Sequence, residues 1–108
     1  MKNIHMHFLD MRDAGNDALM IANDTGKDIL RKRALERCFE IMGEAAKRIP
    51  RERQPEWPQI PWKDIIDLRN AISHEYESFT LHYLCDITRR DVPSLLSAIE
   101  LILKNYEV

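Results

Sequence analysis

The sequence predicts an all-α fold: one domain over residues 1–108, an up-down antiparallel bundle of four to five helices. Three observations carry this. Apolar residues recur at helical spacing along most of the chain. Glycine is scarce, three in 108 residues, and aromatic and β-branched runs are sparse. No strand alternation, internal repeat or low-complexity tract breaks the pattern. Helices of this length joined by short connections pack antiparallel, and the length is near the commonest size of a single domain.

The first helix is expected from Asn3 to about Asn23. Ile4, Phe8, Met11, Ala18 and Ala22 set its stripe, with Leu19 and Ile21 beside it, and Asn23-Asp24-Thr25-Gly26 supplies turn chemistry. A second helix is expected from Asp28 to Ile49, with a stripe of Ile29, Leu30, Leu35, Cys38, Phe39, Met42, Ala45, Ala46 and Ile49. Asp28 favours its N-terminal dipole and Pro50 stops it. Pro50, Pro55, Pro58 and Pro61 make the next segment a stiff, extended, non-helical connection. Pro61 suits the first turn of a third helix that runs to about Tyr76. Leu81 to Tyr106 is periodic again, but Arg90-Asp91-Val92-Pro93 interrupts it. A short helix followed by a longer one is expected there, with one kinked helix as the alternative.

Composition narrows the function. Apolar content of 44% and charged content of 31% are those of a soluble globular domain. A net charge of −2 gives no overall polycationic signature for nucleic acid. Lys27, Arg31, Lys32, Arg33, Arg37, Lys47, Arg48, Arg51 and Arg53 form a local basic segment, read as a solvated helix face with acid–base pairs. Cys38 and Cys85 lie inside apolar stripes, as buried thiols of a reducing compartment would. No secretory leader or membrane span is apparent, so a cytoplasmic location is expected. His5 and His7, near the N-terminus, are expected to be solvated.

The third helix departs from its own pattern. At about 100° per residue, Trp62, Ile65, Ile66, Leu68 and Ile72 share one apolar arc, and Arg69 falls in the middle of it. Tyr76, seven residues on, returns to the same face, while Asn70 and His74 share its flank. A guanidinium on such a stripe costs several kcal/mol unless an anion or acceptor meets it. A phosphate is one answer. Arginine neutralises and orients a phosphodiester, histidine moves protons near neutral pH, and Asn70 can bond His74 or a ribose hydroxyl. Such a set suits transfer at phosphorus without a metal. One copy offers one such histidine, whereas an acid and a base are both wanted, so a two-fold dimer with facing third helices would complete the pair. The alternative is structural: Arg69 pairs with an acid such as Glu44, His74 favours the helix C-terminus, and Tyr76 is a core aromatic. No metal-ligand cluster or Gly-rich phosphate loop is present in the sequence.

Arg69-x4-His74-x-Tyr76, with Asn70 after the arginine, resembles the R-x4-H-x-Y signature of the HepT-like branch of the HEPN superfamily. Ile60-Pro61-Trp62-x-x-Ile65, the stretch from Leu35 to Ala46 with its Gly43-Glu44-Ala45 block, and Asp91-Val92-Pro93-x-Leu95 resemble the flanking features. The resemblance implies a homodimeric toxin of a type VII toxin–antitoxin system (earlier grouped as type II), paired with a minimal nucleotidyltransferase antitoxin. It implies a metal-independent endoribonuclease in which Arg69 and His74, supported by Asn70, act in a cleft at the dimer interface. RNA is the expected substrate, with no role for DNA or a membrane. It also implies that the antitoxin, carrying the ATP and magnesium itself, AMPylates Tyr76. The alternative within the same resemblance is a non-catalytic adaptor that binds the nucleotidyltransferase or RNA.

Overall fold

The computed structural model describes residues 3–75 and 79–105, and Tyr76 therefore lies outside the described residues. Those residues form four α-helices: α1 (Ile4–Ala22), α2 (Asp28–Arg48), α3 (Trp62–Glu75) and α4 (Leu81–Lys104), with no strand among them. The all-α bundle expected from the sequence is the one observed.

The helix ends follow from local chemistry. Asn3 caps α1, its Oδ1 accepting from the Met6 amide at 3.0 Å. Thr80 caps α4 in the same way, its Oγ1 accepting from the Tyr83 amide at 3.1 Å. Such oxygens satisfy N–H groups that have no intrahelical partner. The far end of α1 is closed from two other helices. Arg31 of α2 donates to the Ile21 and Ala22 carbonyls at 3.2 and 3.0 Å, and Arg89 of α4 donates to the Ala22 carbonyl. Two cations therefore meet the negative end of the α1 dipole. Arg31 thus leaves the solvated basic face on which the sequence placed it.

Four further expectations need correcting. The last segment is one helix, not two, and Pro93 sits inside α4. Leu84, Ile87, Val92, Leu95, Ile99 and Ile102 are all buried along it, so packing on both sides of the proline holds the helix together. The connection from Pro50 to Pro61 is not wholly extended: Gln54–Glu56 form a 3₁₀ turn. Ile29 and Leu30, read as stripe members, are 55% and 63% exposed, and the core face of α2 begins at Leu35. His7 is buried, because α1 starts at Ile4 and brings it into line with buried Met11, Ala14 and Ala18.

The core is shared by all four helices, with Phe8, Met11, Leu35, Met42, Ile72, Leu84 and Ile99 at its centre. An aromatic group fixes the start of α3. Trp62 Nε1 lies 3.1 Å from both the Gln54 and Trp57 carbonyls, and Phe8 meets Trp57 edge-on at 5.1 Å. α1 packs on α2 and α4, and α2 packs on α3, whereas α3 and α4 barely meet. A groove of about 430 Å³ lies between them, lined by Phe39 and Met42 of α2, Ile65 and Leu68 of α3, and Ile87 and Leu95 of α4.

Candidate active site

Arg69 owes its position to a glycine. A Cβ placed on Gly43 of α2 would fall 2.1 Å from Arg69 Cβ and 2.5 Å from its Cγ. The arginine stem therefore lies flat on bare backbone where α2 and α3 cross, and no larger residue fits at position 43 without the helices parting. Burial of the stem, with polar partners for the head at the edge of the helix pair, resolves the apparent conflict of an arginine on an apolar arc. The side chain keeps 25% of its exposure.

The head is held loosely. Arg69 Nη1 donates to Asn70 Oδ1 at 3.0 Å. Nη2 stands 3.8 Å from Glu44 Oε1, an ion pair beyond hydrogen-bond reach. Nε is buried and finds no hydrogen-bond partner among the described residues. Arg37 Nη1 approaches the same Glu44 oxygen at 3.9 Å. A guanidinium carries five N–H donors, and among the described residues this one makes a side-chain hydrogen bond through Nη1 to Asn70.

The sequence expectations fare unevenly here. Arg69, Asn70 and Glu44 are brought together, so the acid named as the structural alternative is indeed beside the arginine. The Asn70 oxygen goes to Arg69, not to His74. His74 is exposed in the last turn of α3, four residues beyond Asn70, where a cation is favoured by the helix dipole. Arg37 was missed as a neighbour of Arg69. Its spacing from Glu44, seven residues and two helical turns, was the available signal. Gly43 offered another, since a glycine inside a helix costs about 1 kcal/mol relative to alanine and marks a close approach.

Other reactive groups stand apart from this site. Cys38 and Cys85 are free and buried, as expected. Burial, with Asp17 adding to it, pushes the Cys38 thiol up to about 11, which keeps it protonated and unreactive at neutral pH. Among the described residues, no group of three or more His, Cys, Asp or Glu is placed to hold a metal ion. Nor is any described helix long and apolar enough to cross a membrane.

The ribonuclease HepT-like family model matches residues 11–102, and the chain belongs to that family. A Methanocaldococcus jannaschii protein named "putative RNase" is 30% identical over 98% of this chain and 92% of its own length. A second protein of that name from the same organism is 26% identical over 94% and 97%. A Thermococcus cleftensis protein named "probable ribonuclease HepT" is 34% identical over 66% of this chain and 64% of its own length. No solved structure matches the chain significantly.

Proposed function

We propose that this protein is a metal-independent endoribonuclease and the toxin of a HEPN/nucleotidyltransferase toxin–antitoxin pair. The observation that carries this reading is the Arg69 guanidinium. Its stem is clamped by Gly43, its orientation is set by Asn70, and its Nη2 meets Glu44 only at 3.8 Å, a contact loose enough to yield to an anion. His74, on the same helix and exposed, is the proton-transfer group within reach of a bound strand.

In this mechanism Arg69 holds the scissile phosphodiester. An imidazole takes the proton of the ribose 2′-hydroxyl as its oxygen attacks phosphorus. The bond to the 5′-oxygen breaks, and that oxygen receives a proton from a second imidazole. The products are a 2′,3′-cyclic phosphate and a 5′-hydroxyl. Arg69 offsets the charge that builds on the phosphorane, an effect typically worth about 10²–10³-fold. One copy of the motif offers one imidazole, His74, so the second is taken from a second chain. The apolar groove beside α3 supports a homodimer, because Ile65 and Leu68 are left half-buried where α4 does not cover them. Tyr76, two residues after His74 in the sequence, is on this reading the tyrosine AMPylated by the partner nucleotidyltransferase. A phosphodiester on its oxygen adds negative charge to the motif.

The test is RNA cleavage by purified protein in EDTA, with His74→Ala alongside. The parent should cut, and the variant should lose about 10²–10⁴-fold. Undiminished cutting by the variant removes His74 from its role. No cutting by the parent, together with tight co-purification of the nucleotidyltransferase, identifies a non-catalytic adaptor. Intact mass after incubation with that partner and ATP reads the modification, and Tyr76→Phe should abolish the added AMP mass.

A further inference from the structure

Glu44 and Arg37 are charged groups of this site that the proposed chemistry leaves unused, and their placement gives them a role. One atom, Oε1, lies 3.9 Å from Arg37 Nη1 and 3.8 Å from Arg69 Nη2. Neither separation is a hydrogen bond, whose N···O distance is about 2.7–3.2 Å. The carboxylate offsets the mutual repulsion of two guanidiniums without saturating either of them. Arg37 is 62% exposed and Glu44 32%, so water or a ligand can reach the gap from outside. Arg69 meanwhile keeps a buried Nε with no hydrogen-bond partner among the described residues. A tightly paired Arg–Glu fork would have neither property.

We infer that Arg37 and Arg69 form a two-arginine clamp for the RNA backbone, and that Glu44 is its built-in counter-ion, displaced when a phosphodiester enters. The inference rests on the ribonuclease reading and extends it to a substrate-binding residue on a second helix. Arg69 takes the phosphate to be cut, and Arg37 takes a neighbouring phosphate of the same strand. Exchange is inexpensive, because the incoming anion replaces the carboxylate between the two cations. The released carboxylate is partly exposed already and regains water. Glu44 therefore lowers affinity while keeping the clamp apart and in register when no RNA is bound.

The test uses the full chain and a fluorescein-labelled single-stranded RNA with 2′-O-methyl groups throughout, which binds but cannot be cut at a 2′-hydroxyl. Anisotropy is followed across a salt series. Arg37→Ala should weaken binding by about 3- to 10-fold and lower the log–log salt slope by about 0.7, the value of one single-strand phosphate contact. Arg37→Gln should do the same, which separates loss of charge from loss of the stem. Glu44→Gln should tighten binding by a similar factor and steepen the slope, with its thermal melt confirming the fold. Parental affinity and slope in the Arg37 variants, or parental or weaker affinity in Glu44→Gln, overturns the clamp. So does a parent protein that binds no RNA. Cleavage of the unmodified strand separates the two readings. A parent that cuts while the variants bind as it does loses the clamp alone. A parent that binds as described yet never cuts loses the ribonuclease reading and keeps the clamp.

Discussion

Gly43 and Gly15 are both buried glycines inside helices, yet a methyl group at each would meet different obstacles. At position 43 the obstacle is Arg69 Cβ at 2.1 Å, an atom fixed to the α3 backbone, so the helices themselves must separate. Such overpacking costs about 1–3 kcal/mol, against a helix-propensity gain of at most about 1 kcal/mol. Gly43→Ala should therefore be net destabilising in urea unfolding, and it should reduce RNA cleavage as Arg69 is displaced. At position 15 the nearest atom is Leu96 Cδ2 at 2.9 Å, the tip of a half-buried side chain that can swing aside. Gly15→Ala should stay within about 1 kcal/mol of the parent. Equal stability of the two alanine variants would contradict the close approach at Gly43. The site was partly legible at this scale. Arg69 stood out because its charge contradicts its register, and Asn70 because it adjoins Arg69. Arg37 did not, since a lysine- and arginine-rich helix face looks the same whether its members are idle or facing a ligand. His7 misled for a different reason: proximity to a chain end says little once Asn3 starts a helix.

Among the elements, α4 shows what periodicity can and cannot decide. Its apolar residues recur on both sides of Pro93, which is compatible with one helix or with two in line. Proline inside a helix removes a backbone hydrogen bond and costs about 3 kcal/mol. That cost alone argues for a break, but continuous burial from Leu84 to Ile102 along the helix outweighs it. Burial against other helices cannot be read from a local window. Pro93 is exposed, so its ring contributes little packing of its own. Pro93→Ala should accordingly raise stability by about 1–3 kcal/mol in chemical denaturation, with unchanged helix content by circular dichroism. A fall in stability would overturn this account of Pro93 as a tolerated cost. The other helix ends were legible to within a residue or two, because Asn3, Pro50, Pro61 and Thr80 carry their punctuation in their own chemistry.

For the molecule as a whole, the all-α class was legible, but the choice between four and five helices and the uneven packing were not. α4 follows α3 in the chain yet leans on α1, which leaves the groove beside Ile65 and Leu68. A pattern of apolar positions says that a face is buried, not by what. If a second copy covers this groove, a charge there should separate the copies while leaving each fold intact. Leu68 is only half-buried in the single chain, so Leu68→Asp should keep its helical circular dichroism. Its mass in solution should fall to that of one chain, and RNA cleavage should be lost with it. A Leu68→Asp variant that sediments like the parent would place the contact between copies elsewhere.

The crossing at Gly43 also makes the molecule mechanically uneven. With backbone and arginine stem in direct contact, α2 and α3 have no compressible layer between them at that point and must move as one stiff lever. α4, separated from α3 by the groove, is the compliant side. A load on Arg69 would therefore pass to α2 directly and reach α4 only through their shared neighbours.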